Sequence, residues 1–400
     1  MTGVRAAATA FFAVDGFVFA TWAVRIPAVK AATHASPASL GLALLGLSCG
    51  AILTMTISGA LCRRFGAGRM TVGSAILLAL ALLLPPLARS AVGLALALLV
   101  FGAAYGSLNV SMNSVAISVV AALRRPVMPS FHAAWSFGGL AGAGLGGLLA
   151  PHLAPLPHFA LVAVAALAVT AWFGRTLLTH PLAAAGAATG ELPDPREGGG
   201  ADLEDGADPE TTRSKSSRGG LGRGWRVVLL FGLIALCASY GEGAIGDWGA
   251  LHLREDLGAG AGLAAAGYAA FALAEASGRL GGSWLLLRLG QTRVLALGGL
   301  TASAGMLAAA LAPSLPVALI GFALTGIGIA NMFPAAMTRA GLVAGPEGVA
   351  AASTLGYAGF LLGPPTIGFL AGAVGLSTGL TTVSVLALVA ALLAWLGERR

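Results

Sequence analysis

The sequence predicts an all-α integral membrane protein with twelve transmembrane helices in two six-helix repeats. Composition is the first reason, because 57% of the 400 residues are hydrophobic and only 10% are charged, whereas about a quarter of the residues of a soluble protein are charged. A mean hydropathy of +0.87 requires lipid as the solvent. The other reasons are the regular recurrence of long apolar runs and the repetition of short motifs between the two ends of the chain.

Twelve apolar runs are each long enough to cross the hydrocarbon core, about 30 Å thick, as a helix. The predicted spans are residues 6–25, 38–62, 70–88, 91–119, 130–150, 158–179, 226–249, 261–286, 294–312, 316–338, 349–371 and 376–397. Because twelve is an even number, both termini are expected on the same side of the membrane.

One long polar segment, residues 181–225, separates the spans into two sets of six. It holds half of the 16 carboxylates together with many Gly, Ser and Pro residues. Such a composition cannot bury enough apolar surface to offset the entropy lost on ordering. We therefore predict a disordered cytoplasmic linker between an N-terminal six-helix bundle (1–180) and a C-terminal six-helix bundle (226–400).

Basic residues predict the orientation. All but four of the 23 Lys and Arg residues fall in or beside segments on the side of the termini, the exceptions being Arg25, Lys30, Arg89 and Arg254. Since cytoplasmic loops are rich in Lys and Arg, we predict a multi-pass protein of the inner (cytoplasmic) membrane with both termini cytoplasmic. Topology thus explains the net charge of +7, and we predict no nucleic-acid partner.

Short motifs recur between the halves in the same order. The segment Arg64-Phe-Gly66-Ala-Gly-Arg69 follows the second span, and Arg288-Leu-Gly290-Gln-Thr-Arg293 follows the eighth. Asn109 in the fourth span corresponds to Asn331 in the tenth, and Trp22 in the first corresponds to Trp248 in the seventh. Several matches in one order predict parallel repeats.

These motifs resemble the major facilitator superfamily of secondary transporters. Gly59, Arg64, Gly66 and Arg69 match its signature between the second and third helices, while Arg63 and Leu287 stand where the family has Asp. Within the superfamily, the chain is similar to the YbjJ-like branch, itself distantly similar to fucose permease. The segments that carry this similarity are Trp22–Pro27, Asn109–Asn113, Arg125–Ser136 and Glu242–Trp248.

The resemblance implies the major facilitator fold, secondary transport by alternating access, and a central cavity lined by helices 1, 4, 7 and 10. It also implies that the basic loops control opening of the cavity. We therefore expect a gating role for Arg64, Arg69, Arg288 and Arg293. His132 lies in the first turn of the fifth span, close to Arg124 and Arg125, and we expect it to have a structural or gating role near the cytoplasmic mouth. His132 could also sense protons, since histidine titrates near neutral pH.

Three carboxylates remain at membrane depth once those of the linker and of the helix ends are set aside: Asp15, Glu242 and Glu275. A charge at the centre of a spanning helix costs about 2.5–3.5 kcal/mol, so such residues usually face a cavity or a partner. We predict that they couple transport to protons. Two alternatives stay open, namely a neutral Asp15 bonded to a backbone carbonyl and a Glu275 neutralised by Arg279 four residues later.

Glu242 lies in a glycine-rich stretch, residues 239–249, which predicts a break in the seventh helix. Broken backbone at membrane depth occurs where it is buried in protein or lines water. We therefore expect Glu242 to line the cavity and to bind substrate.

Further substrate-binding candidates are amides and aromatic residues. Tyr105, Asn109 and Asn113 recur at intervals of four on one stripe of the fourth helix, and amides both donate and accept hydrogen bonds. The remaining candidates are Trp22, Trp135, Trp248 and Asn331. For the asparagines, the alternative role is hydrogen bonding between helices. For the tryptophans, the alternative role is anchoring at the membrane interface.

The sequence thus predicts a secondary active transporter of a small polar solute, coupled to protons. A drug or metabolite exporter of the same fold and a membrane sensor that binds without transport are the alternatives. No nucleophile triad, phosphate-binding loop or metal-ligand spacing is evident, so we predict no enzyme activity, no cofactor and no metal. The expected partners are the solute, protons and the lipid bilayer, with the chain acting as a monomer.

Overall fold

A computed structural model describes residues 2–123, 127–179 and 218–398 of the protein. In the first half the helices are α1 (Thr2–Ala23), α2 (Ile26–Thr33), α3 (Pro37–Phe65), α4 (Ala67–Ala81), α5 (Ala91–Leu123), α6 (Met128–Leu149) and α7 (Pro155–Thr179). In the second half they are α8 (Arg218–Ala244), α9 (Ala250–Glu255), α10 (Ala261–Leu289), α11 (Gln291–Ala310), α12 (Leu315–Ile329), α13 (Met332–Val374) and α14 (Leu376–Glu398).

The helices confirm the all-α membrane fold. Ten helical stretches among the described residues are long and apolar enough to cross a membrane, and α6 and α10 supply the other two of the twelve crossings. They are helices of 22 and 29 residues, and α10 carries the Glu275 and Arg279 side chains in its middle. Each predicted span therefore has a helix, although α13 continues through the expected loop before residue 349.

Most of the predicted linker, residues 181–225, lies outside the described residues, which omit 180–217. The second half begins at Arg218, eight residues before the predicted start of its bundle. Residues 218–225 are therefore helical, as an N-terminal extension of the seventh crossing.

The outer surface of the bundle is apolar. Large side chains such as Leu148, Trp172 and Leu280 are each more than 70% exposed. Exposed apolar area of this extent is unfavourable in water and is covered by acyl chains in a bilayer. The apolar surface therefore fits a protein whose helices are surrounded by a lipid bilayer.

The signature loops confirm the repeat at the level of the backbone. Gly66 ends α3 with φ of +90°, and Gly290 ends α10 with φ of +77°. This left-handed region is easily adopted only by glycine. Both loops therefore turn in the same way, and α4 and α11 start directly after them.

Two close helix crossings between the halves lie at the end of the bundle that carries α2 and α9, which we call the α2–α9 end. A methyl group on Gly147 of α6 would lie 3.0 Å from the carbonyl oxygen of Gly262 on α10. Gly41 of α3 and Gly368 of α13 meet in the same way at the corresponding crossing of the other helix pair. Small residues let the helix backbones approach closely at these two symmetric crossings.

An ion pair spans the same end. Lys30 of α2 donates to both carboxylate oxygens of Glu255 in α9, at 2.6 and 2.7 Å. The Lys30 side chain is 12% exposed and that of Glu255 is 43% exposed. The pair joins the two halves where α2 and α9 lie beside each other.

Candidate functional site

The first component of the site is a carboxyl group held by an indole. Asp15 on α1 is fully buried, and its Oδ2 atom accepts a 2.9 Å hydrogen bond from Nε1 of Trp135 on α6. Its Oδ1 atom has no partner in the described part of the chain. Gly16 makes the pair possible, because any side chain at Gly16 would collide with the backbone carbonyl of Trp135.

The second component is a group of two carboxylates around one guanidinium. Nη2 of Arg279 lies 2.7 Å from Oε1 of Glu275, one turn earlier on α10, and 3.8 Å from Oε2 of Glu242 on α8. The spacing of four residues predicts the first contact. The second joins α8 to α10, and it shows that Glu275 and Arg279 are part of a larger group rather than a closed pair.

Aromatic rings connect the two components across the interface between the halves. The Phe19 ring of α1 lies 5.5 Å from Tyr105, 6.5 Å from Trp135 and 6.3 Å from Tyr268 on α10, measured between ring centroids. These distances are typical of packed aromatic pairs. Asp15, four residues before Phe19, thus lies beside a ring cluster to which both halves contribute.

Tyr105 has carboxylate neighbours in both halves. It lies close enough to Asp15 of the first half and Glu242 of the second to interact electrostatically with both. Tyr268 interacts in the same way with Glu242, Glu275 and Arg279. Asp15 and Glu242 therefore share one tyrosine neighbour, Tyr105, and their common role in the site stays a prediction.

The predicted break in the seventh helix is a local widening instead. Residues Ile245–Gly249 form one turn of π-helix between α8 and α9, so the chain stays helical. Glycines in this region adjoin aromatic side chains, since a methyl group on Gly246 would meet Phe19 and Tyr268, and one on Gly243 would meet Phe360. They serve close packing, and π turns of this kind are frequent at functional sites.

The three residues of the predicted polar stripe on α5, Tyr105, Asn109 and Asn113, make different contacts. Tyr105 joins the ring cluster through Phe19, whereas Nδ2 of Asn113 donates a 2.8 Å bond to the backbone oxygen of Asn109. Both asparagines are half-buried. They remain predicted substrate-binding residues, placed one and two turns from Tyr105.

Three predicted substrate-binding residues lie apart from these contacts. Trp22 is fully enclosed and packs against Phe101 and Phe159 within the first half. Trp248 is equally enclosed, and neither indole N–H has a hydrogen-bond partner among the described residues. Asn331 donates to the backbone oxygen of Gly278 at 3.0 Å, so its side chain bonds α10.

His132 approaches the second component. It is exposed on α6, one turn before Trp135, with its ring edge-on to Phe12 at 5.3 Å. It also lies close enough to Arg279 to interact electrostatically across the two halves. This position lies nearer to the carboxylates than the helix-end location that the sequence indicates.

The predicted gating arginines are exposed at the opposite end of the bundle from α2 and α9. Arg64 lies over the Phe65 ring at 5.2 Å, and Arg288 lies over the Trp284 ring at 5.6 Å. Arg69 and Arg293 follow at the starts of α4 and α11.

No group of three or more possible metal ligands occurs within residues 2–123, 127–179 and 218–398.

Sequence reasoning missed three residues of the site. Phe19, Tyr268 and Arg279 as a partner of Glu242 connect elements that are far apart in the chain. A signal existed for two of them: Phe19 follows Asp15 by one helical turn, and Tyr268 is one of only four tyrosines in the whole sequence. A rare polar ring within an apolar helix is a reason to examine it.

The sequence is similar to a known family of membrane transporters and to individual members of it. The sequence profile of the Major Facilitator Superfamily matches residues 7–241 and 231–400. The uncharacterized transporter y4wD of Sinorhizobium fredii is 33% identical over 392 residues, covering 96% of this chain and 95% of that protein. The membrane protein MosC of Rhizobium meliloti is 31% identical, with coverage of 97% and 88%.

Solved structures share the fold at low sequence identity. The nucleoside transporter NupG superposes with a TM-score of 0.71 at 13% identity, covering 99% of this chain and 98% of that one. A D-xylose–proton symporter gives 0.72 at 13% identity, covering 98% and 97%. The fucose:proton symporter FucP of E. coli gives 0.60 at 18% identity, covering 98% of each chain.

Proposed function

The chain belongs to the Major Facilitator Superfamily and is a multi-pass secondary transporter, and we propose that it carries a small polar solute in symport with protons. In this proposal the protein lies in the inner membrane. It works as a monomer, because one chain contributes both halves of the site. The single observation that carries the proposal is the pair of carboxylates, Asp15 and Glu242, that share Tyr105 at the interface between the halves.

Proton coupling follows from the different partners of the carboxylates. Glu275 is bonded to Arg279 at 2.7 Å, and this favours a permanent ion pair. Asp15 has only the indole N–H as a partner among the described residues, so no cation balances its charge there. Carboxylates inside membrane spans characteristically mark proton relays in transporters. We assign Asp15 as the proton carrier, with Glu242 as a second carboxylate that shares its neighbour Tyr105 and Glu275 as the electrostatic partner of Glu242.

The chemistry of the site favours a hydroxyl-rich solute. The hydroxyl groups of Tyr105 and Tyr268 and the amides of Asn109 and Asn113 can donate and accept hydrogen bonds. Aromatic rings beside them, including Phe19, provide flat apolar faces of the kind that suit a sugar or a nucleoside. The names of the structural neighbours mention a nucleoside, D-xylose and fucose, and these compounds form a reasonable first panel.

Alternating access is the proposed mechanism. The halves meet at the α2–α9 end through two glycine crossings and the Lys30–Glu255 pair. In our proposal this is the periplasmic end, since most basic residues lie at the other. Residues 1–180 and 226–400 rock as two bodies around the site, with residues 181–225 as their cytoplasmic tether, and the Lys30–Glu255 pair breaks when the outer side opens.

An exporter of the same fold is the second candidate. The rings of Phe19, Tyr105, Trp135 and Tyr268 make one wall of the site strongly aromatic, and this also suits a less polar organic compound. The direction of coupled flux separates the two, because an exporter would move solute against an inward proton flow. A sensor would bind solute without any flux.

Purified protein in sealed proteoliposomes tests the proposal. Labelled D-xylose, L-fucose and uridine are supplied outside, with an inside-alkaline pH gradient or without one, and a pH-sensitive dye reports protons inside. Symport predicts gradient-stimulated uptake of at least one compound together with internal acidification. Thermal stabilisation by a compound that shows no uptake, exchange or proton movement would contradict transport and favour the sensor.

A further inference from the structure

A small cavity lies between the halves at the α2–α9 end, away from the carboxylate site. Its volume is about 20 Å³, and this is room for one particle of the size of a water molecule or a monoatomic ion. Arg25 and Arg254 line it together with Ala150, Ala261 and Ala264. Arg25 belongs to the first half and Arg254 to the second, so the cavity lies between the two halves.

Arg25 is a buried cation with no carboxylate partner among the residues that the structure describes. Its residue is 3% exposed, and its guanidinium donates to the backbone oxygens of Ala150, at 3.2 Å, and Leu153. Its Nε atom has no hydrogen-bond partner among the described residues. Arg254 lies close enough to Arg25 for the two positive charges to interact.

Two other cations at contacts between helices, Lys30 and Arg279, have carboxylate partners. Lys30, a few residues along the chain, is paired with Glu255, and Arg279 is paired with Glu275. Carboxylates therefore neutralise Lys30 and Arg279, whereas Arg25 and Arg254 line one small space together. A buried charge usually has an ionic partner.

We propose that a chloride-sized monovalent anion binds in this cavity between Arg25 and Arg254. Such an ion offsets the repulsion between the two guanidinium groups and offers an acceptor to the buried one. A water molecule also fits by size but offsets no charge. Because the two arginines come from different halves, the anion binds the form in which the α2–α9 end is closed and stabilises it.

Thermal unfolding of the purified full-length protein tests the site. Sodium chloride is titrated against sodium gluconate at constant ionic strength, so that general screening is held fixed. The wild type should gain about 2–4 °C in Tm along a saturating curve. Arg254→Gln should lose this gain, because it removes one of the two charges from an exposed side chain without disturbing the core. Arg89→Gln is the matched control, an exposed arginine at the same end that does not line the cavity, and it should keep the gain.

A flat wild-type response would overturn the proposal. An equal gain in Arg254→Gln would do the same, as would loss of the gain in Arg89→Gln. Crystals grown with sodium bromide provide the positional test. An anomalous peak between Arg25 and Arg254 supports the site, whereas bromide found only elsewhere contradicts it. None of these measurements requires transport, so a failure here is separate from a failure of the proposed symport.

Discussion

The indole N–H of Trp135 donates a 2.9 Å hydrogen bond to Oδ2 of Asp15, and this bond joins α6 to α1 inside the first half. The two residues are 120 positions apart in the chain. The contact exists because Gly16 brings the backbones of the two helices together beside it. The bond holds one oxygen of the carboxyl group that we assign as the proton carrier.

Trp135→Phe should lower stability by about 1–3 kcal/mol, because it keeps an aromatic ring but removes the donor to a buried carboxyl group. The decrease is measured as a fall in Tm of purified protein. Trp172→Phe is the matched control, since Trp172 is 75% exposed on the outer surface of α7. Equal Tm values for the two variants would show that the hydrogen bond contributes nothing.

Arg279→Gln should destabilise the protein by about 3 kcal/mol, because it leaves Glu275 buried without its cation. We place the value at the lower end of the usual range, since the Arg279 side chain is 28% exposed. The double variant Arg279→Gln/Glu275→Gln should recover part of the loss, as a double-mutant cycle would report. Arg288→Gln, at the exposed end of α10, is the control.

A double variant no more stable than Arg279→Gln would contradict this interpretation. It would mean that Glu275 is not the group left unsatisfied. In that case the closest remaining candidate is Glu242, 3.8 Å from the same nitrogen, and Arg279→Gln/Glu242→Gln would identify it.

Local spacing was sufficient to predict part of this site. The contact between Glu275 and Arg279 follows from an interval of four residues on one helix, and the expected positions of the twelve crossings follow from the lengths of the apolar runs. The glycine-ended loops at Gly66 and Gly290 were also visible as a repeated motif. Each of these features depends on residues that are close in the sequence.

Contacts between helices could not be read in this way. The Trp135–Asp15 bond and the Arg279–Glu242 contact depend on how α1, α6, α8 and α10 rotate about their axes. Rotation is set by packing of small residues against a neighbour, and in uniformly apolar helices polarity does not reveal which face is inward. The π turn at Ile245–Gly249 could not be predicted from the sequence either. Its glycines predict a weak helix, but they do not predict the widened turn that packs against aromatic neighbours.

Lys30→Glu should loosen the α2–α9 end, because it places two carboxylates where an ion pair now joins the halves. A cysteine at Ala265, buried beside Gly147 at this end, then reports opening in a background without native cysteines. Its reaction with an impermeant thiol reagent should become about two- to fivefold faster, as expected for a partly exposed pair. The swap Lys30→Glu/Glu255→Lys should restore slow labelling, and fast labelling in the swap would contradict a pairing role.

Topology can be tested residue by residue. Cysteines at the exposed positions Ala32 and Ser314 should react with an impermeant thiol reagent in intact cells freed of their outer membrane. Cysteines at Ala122 and Thr292, at the opposite end of the bundle, should react only after the membrane is opened. The reverse pattern would overturn the proposed orientation and would place the Lys30–Glu255 pair in the cytoplasm.

The central claim is that Asp15 and Glu242 couple the solute to protons, and the most direct measurement compares accumulation with exchange in proteoliposomes. Asp15→Asn and Glu242→Gln, which resemble the protonated side chains, are assayed with the compound of the D-xylose, L-fucose and uridine panel that the wild type accumulates. At least one variant should lose accumulation driven by the pH gradient while it retains counterflow exchange, because exchange needs no net proton movement. Gradient-driven accumulation that persists in the double variant, with unchanged pH dependence, would contradict the account and leave the two carboxylates with a structural role.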